Sequence, residues 1–158
     1  MKLILIVISL LVLSMLVYFI YLGFKSQSGQ APGLVNQQLS PCPASPNCIC
    51  TEYASDNSHY TAPVEYAAEH AEIIQRAIES AIKAGGGEII STQPDYLAAT
   101  YRSSIFRYVD DFEVRIDNTS RLIHIRSASR VGRSDLGANL KRIETFKQLL
   151  SMQLAQKN

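Results

Sequence analysis

The sequence predicts an α+β fold: a four-stranded antiparallel sheet of two hairpins, flanked by an N-terminal and a C-terminal helix and preceded by one N-terminal transmembrane helix. Three observations predict it. Residues Leu3 to Leu22 are a run of twenty residues without a charge, long enough to cross a bilayer as a helix. Two later stretches, around 64–84 and 140–154, repeat apolar residues at helical spacing. Between them lie four short β-prone runs separated by turn residues, and strands bounded by helices at both ends bury one sheet face against those helices.

The apolar run is longer than the core of a cleavable signal, and its exit, Leu22-Gly23-Phe24-Lys25, is no small-residue cleavage site. An uncleaved anchor over 1–25 is therefore expected. Lys2 lies on one side and Lys25 on the other; the expected orientation keeps the amino terminus inside and the domain outside the cytoplasm, with Tyr18 and Tyr21 at the outer interface. Residues 26–40, rich in Gln, Ser, Gly and Pro, read as a flexible linker. The single α+β domain is expected to span 41–158.

The domain opens on Pro41-Cys42-Pro43-Ala44-Ser45-Pro46-Asn47-Cys48-Ile49-Cys50. The prolines stiffen a turn that brings Cys42 towards Cys48, and an oxidising compartment favours their disulfide. Reactive thiols, or a soft-metal set of Cys42, Cys48, Cys50 and His59, are the alternatives; tight metal sites usually need a C-x-x-C pair, and no metal or cofactor is assigned.

A helix is expected from about Val64 to Ala84, with Tyr66, Ile74, Ala77, Ile78, Ala81 and Ile82 as its apolar stripe and Gly85-Gly86-Gly87 as its stop. The strands follow: Glu88–Thr92 and Tyr96–Arg102 around Gln93-Pro94-Asp95, then Phe112–Asp117 and Leu122–Ser127 around Asn118–Arg121. In the second hairpin Phe112, Val114 and Ile116 must share a face with Ile123 and Ile125, because the other parity would bury charge. That register pairs Glu113 with Arg126 and Arg115 with His124 and leaves a polar quartet, expected on an exposed face. The last helix begins near Leu140, with Asn139 as its N-cap.

Function is read from Ile125 to Glu144, where four arginines (Arg126, Arg130, Arg133 and Arg142) fall within twenty residues. A glycine-bearing loop between a strand and a helix start binds anions through backbone N–H groups and the helix N-terminus, and arginines add bidentate donors for carboxylate or phosphate. The competing reading is that Arg126 and Arg130 pair internally with Asp110, Asp111 or Glu113. Adjacent Asp110 and Asp111 also raise acid–base or cation chemistry, although neighbours at a strand start point apart.

Several of these motifs resemble the family known as domain of unknown function 1499: the cysteine–proline segment, His59-Tyr60, Phe106 to Glu113, Arg126 to Gly132, Ser134 to Asn139, and Arg142. Cys50 departs from the resemblance, since a small polar residue usually stands there. The resemblance implies a bacterial or plastid setting and no established activity.

The halves differ in charge: residues 26–101 hold two basic and eight acidic side chains, and 102–147 hold ten and six. Without a basic excess over the domain or a zinc-finger spacing, nucleic acid is excluded as a partner. The reading is a membrane-anchored, non-enzymatic binding domain on the outer side of a bacterial inner membrane. Its candidate contacts for an anionic small molecule, lipid head group or envelope protein are Arg126, Arg130, Arg133 and Asn139, with Asp110, Asp111 and Glu113 beside them. The alternative is an enzyme, a thiol redox factor using Cys42 and Cys48 or a hydrolase using Asp110, Asp111 and His59.

Overall fold

Apolar and polar residues alternate along the two longest strands, so the sheet has one oily face and one charged face, and both are covered. The computed structural model describes residues 1–155. The elements are α1 (Lys2–Gln27), β1 (Leu34–Val35), β2 (Gln38–Leu39), β3 (Cys48–Cys50), β4 (Val64–Glu65), a 3₁₀ turn (Ala68–His70), α2 (Ile74–Ala84), β5 (Glu88–Gln93), β6 (Tyr96–Arg102), β7 (Val109–Asp117), β8 (Leu122–Ser129) and α3 (Ala138–Ala155). One antiparallel sheet runs β3-β8-β7-β6-β5, and β4 also pairs with β8.

The sheet therefore has six strands rather than the expected four. The two extra strands come from segments too short to carry a period. β3 pairs with Arg126–Ala128 and β4 with Leu122–Ile123, so together they close the edge of β8 that the hairpins would have left open. The same pairing corrects the start of α2. Tyr66 N–H donates to the Arg121 carbonyl, which holds 64–66 extended, and the helix begins only at Ile74. From there the expected stripe holds: Ile74, Ala77, Ile78, Ala81 and Ile82 are buried. The chain leaves α2 through Gly86 at φ +84°, a conformation open to glycine at little cost.

The register argued for the second hairpin is present, with Glu113 opposite Arg126 and Arg115 opposite His124. Phe112, Val114, Ile116, Ile123 and Ile125 then share the core with Leu97, Ile78, Ile82, Ile143, Phe146 and Leu150, packed by α2 and α3. α3 starts at Ala138, and Asn139 is not its cap. Asp135 takes that part, accepting the Gly137 and Asn139 N–H groups at 3.1 and 2.8 Å.

The opposite, charged face is not exposed. Residues 29–42 cross it as a strap, joined there by Glu52 and Tyr53 just beyond β3. The stretch 26–40, expected to be a loose linker, begins with a buried Ser26 and ends with a buried Leu39 and Ser40. Under the strap Arg115 Nε meets Glu52 at 2.6 Å, Arg126 Nη1 meets Glu113 at 3.0 Å, and Arg130 Nη2 meets Asp111 at 2.6 Å. Polarity misled the sequence reading because each charge is buried with its partner, which is the condition under which burial is tolerated. Cys42 and Cys48 form a disulfide at the strap's far end, and Cys50 is a buried free thiol.

His124 lies in this layer, with Nδ1 3.4 Å from Thr51 Oγ1 and 3.8 Å from Glu52 Oε2. Burial depresses its pKa below the ordinary histidine value, against the pull of Glu52. A depressed histidine is neutral in the fold but takes a proton in the unfolded chain, so its contribution is present above about pH 6.5 and is lost as pH falls below it. Burial pushes Glu113 the other way, up from the usual carboxylate range, so acidification in its window favours the fold. The histidine's share is therefore a difference. Between pH 7.5 and 5.5, His124→Gln is expected to lose less stability than the unsubstituted chain, measured as unfolding midpoints; equal losses would rule His124 out as a source of acid sensitivity.

Candidate ligand cavity at the arginine loop

The arginine stretch divides once its side chains are placed. Arg126, on β8, points under the strap to Glu113, and its Nε has no hydrogen-bond partner among the described residues. Arg130, just past β8, grips Asp111 with Nε and Nη2 and gives Nη1 to the Ser26 carbonyl at 3.1 Å. Arg142, on α3, reaches Asp110 at 2.8 Å, donates to Ser127 Oγ at 2.9 Å, and lies over the Tyr101 ring. Among the described residues Arg133 has no ion-pair partner, and it is exposed. The four arginines thus separate into three structural clamps and one available cation.

Asn139, a candidate contact from sequence, is buried inside this network. Its Oδ1 accepts from Ser127 Oγ at 2.6 Å, and its Nδ2 donates to the Asn47 carbonyl at 2.8 Å and to Ser129 Oγ at 3.1 Å. It ties α3 to β8 and to the cysteine segment. Asp110 and Asp111 project from opposite faces of β7, as strand alternation requires, and each already holds its own arginine. His59 is bound on both ring nitrogens, to Asp56 Oδ2 at 2.8 Å and the Ser45 carbonyl at 3.2 Å. Asp110, Asp111 and His59 are therefore not brought together as an acid–base group, and among the described residues no three His, Cys, Asp or Glu side chains gather to hold a metal. Burial pushes the Cys50 thiol up to about 11, far from the depressed values that make a thiol reactive at neutral pH.

Arg133 lines a cavity of about 410 Å³. One wall is the loop after β8, Val131 to Asp135, with the first residue of α3. The other is Tyr18, Phe19 and Leu22 of α1 with Tyr108. Of the two acids in the wall, Asp110 is matched by its own arginine, Arg142, while Asp135 keeps its negative charge against the N-terminus of α3 that it caps. Arg133 is thus the one cationic side chain among the described residues of the lining. The Tyr108 hydroxyl, buried in this wall, lacks a hydrogen-bond partner among the described residues.

The family described as "protein of unknown function (DUF1499)" matches residues 38–150. The chain belongs to the DUF1499 family. Comparison with curated proteins returned no match. The matched DUF1499 region includes the sheet, α2, the arginine loop and most of α3. It leaves out Tyr18, Phe19 and Leu22, so the cavity is built mostly from the family domain and closed on one side by three residues of the apolar helix before it. That helix was legible in the sequence, and so was the arginine loop. Their meeting was not, because no pattern couples residues 18–22 to residues 131–135; the interfacial position expected of Tyr18 was the nearest signal.

Proposed function

We propose that this DUF1499 protein is a membrane-anchored, non-enzymatic binding protein whose cavity between α1 and the arginine loop holds an anionic ligand, a lipid head group. One observation carries the reading: Arg133 is exposed, unpaired among the described residues, and faces Tyr18, Phe19 and Leu22 across a cavity. A cation opposite apolar and aromatic side chains suits a molecule with a charged head and an oily body. α1 is long and apolar enough to cross a membrane, and in this reading residues 1–25 anchor an α+β unit over 41–158. The Cys42–Cys48 disulfide supports an oxidising side, hence a domain outside the cytoplasm, on the outer face of a bacterial inner membrane.

The test is lipid retention by the full chain in detergent, read by native mass spectrometry with phosphatidylglycerol and phosphatidylcholine offered together. The intact protein is expected to retain the anionic lipid preferentially. Arg133→Ala is expected to weaken that retention roughly tenfold or more, the worth of a charged hydrogen bond, while stability changes by no more than about 0.5 kcal/mol, as for other surface substitutions. Undiminished retention by Arg133→Ala would remove the site. Retention of neither lipid would point to a soluble anion or a protein partner instead.

A further inference from the structure

Two large apolar side chains project from the end of the sheet where α1 departs. Ile105, in the connection between β6 and β7, is 82% exposed, and Leu136, in the loop before α3, is 97% exposed. A lone exposed apolar residue needs no explanation; the position of these two does. Phe106, next to Ile105, packs its ring 5.4 Å from that of Phe19, and a side chain on Gly23 would overlap the Phe106 carbonyl oxygen. Val109 N–H donates to Ser26 Oγ at 3.0 Å. The connection is therefore held against the last turns of α1, level with the end of its apolar run. The loop carrying Leu136 stands at the same level, since its residues 131–135 face Tyr18, Phe19 and Leu22 across the cavity.

Each prong has a basic residue close by. Arg107 and Arg133 are exposed, and so is Lys25 in the last turn of α1. Arg107 and Leu136 also hold left-handed backbone, at φ 58° and 53°, a conformation that costs a non-glycine residue and recurs where a loop is shaped for a contact. We propose that Ile105 and Leu136 enter the interface of an anionic bilayer, with Arg107 and Arg133 at phosphate depth, so that the domain sits on the membrane that α1 crosses. The occupant is argued from continuity: α1 leaves the domain through this surface, and Ser26, buried against Val109, leaves no free tether to lift it away. Basic residues near a membrane attract anionic lipid.

This inference rests on the membrane reading of α1, and the experiment separates the two. The full chain is reconstituted in phosphatidylcholine vesicles with and without phosphatidylglycerol, carrying an environment-sensitive fluorophore on Ile105→Cys, Leu136→Cys or Thr119→Cys. Thr119 is exposed at the far end of the second hairpin, about 30 Å along the strands. The unsubstituted chain, whose Cys50 is buried, gives the labelling background. Lipids brominated near the glycerol end should quench the labels at 105 and 136 several-fold more than the label at 119, and more strongly with phosphatidylglycerol present. Vesicles that hold the chain while all three labels stay equally bright would overturn the seating alone. A chain that does not float with vesicles would overturn the anchor and the seating together. Quenched prongs with unchanged lipid retention by Arg133→Ala would keep the seating and remove the cavity ligand.

Discussion

Arg130→Ala is expected to lower the unfolding free energy by about 3–5 kcal/mol, the usual cost of removing one partner from a buried ion pair. Asp111 is buried, and both its carboxylate oxygens are within 3.0 Å of Arg130 Nε, with Oδ1 2.6 Å from Nη2. Truncating the arginine leaves that carboxylate with no countercharge under the strap. It also frees the Ser26 carbonyl, so the end of α1 loses a tie to the sheet. In a domain of this size the loss would lower the midpoint by roughly 10–20 °C. Arg130→Lys keeps the charge but not the planar fork, so its midpoint should fall between the two. Asp111→Ala should cost less when Arg130 is already alanine than when it is not, because the two residues share one interaction. The measurement is thermal unfolding of the full chain in detergent, with Arg133→Ala alongside. If Arg130→Ala unfolded at the same temperature as Arg133→Ala, the division between clamping and available arginines would be wrong.

That division could not be read from the loop's composition, because all four arginines sit in similar polar surroundings. What separates them is the parity and reach of partners elsewhere in the chain. Glu113 was placed correctly opposite Arg126, since period-two burial of Phe112, Val114 and Ile116 admits one register only. The cover over that pair was invisible. Residues 26–40 have the composition of a linker, and Leu39 is too isolated to announce a buried position. They are fixed by single contacts to distant residues, such as Gly33 N–H to Glu113 and Tyr53 OH to the Leu39 carbonyl. Local pattern reports periodic burial well, and reports poorly a segment held by polar bonds to its far neighbours. The same limit explains α2: Tyr66 fits a helical stripe, yet the edge of β8 recruited Val64 and Glu65 as a strand and took the Tyr66 N–H as well. Asn139 escaped the cap reading for a related reason, since its amide serves β8 and the cysteine segment rather than its own helix end.

Glu113→Ala is expected to cost as much as Arg130→Ala and, unlike it, to release the strap. Glu113 is 0% exposed. Its carboxylate accepts from Tyr96 OH at 2.8 Å, from Gly33 N–H at 2.9 Å and from Arg126 Nη1 at 3.0 Å. Burial pushes its pKa up, and those three donors pull it back. Removal leaves the Arg126 guanidinium buried without its carboxylate, when its Nε already has no partner among the described residues, and a loss of about 3–5 kcal/mol follows. It also frees the Gly33 N–H, a direct bond between the sheet and the β1–β2 hairpin of the strap. Asn36 and Gln37 at the tip of that hairpin hold left-handed backbone, and once the strap is loose they become the site of earliest proteolytic cleavage. Glu113→Gln separates the two effects. Its amide oxygen still accepts from Gly33, so the hairpin should stay protected, while its NH₂ turns donors towards Arg126 and stability still falls. Cleavage at 36–37 in the alanine variant but not in the glutamine variant, at native temperature, is the expected pattern. Equal protection in both would mean that the strap is held by Leu39 and Tyr53 packing, and that the carboxylate serves Arg126 alone.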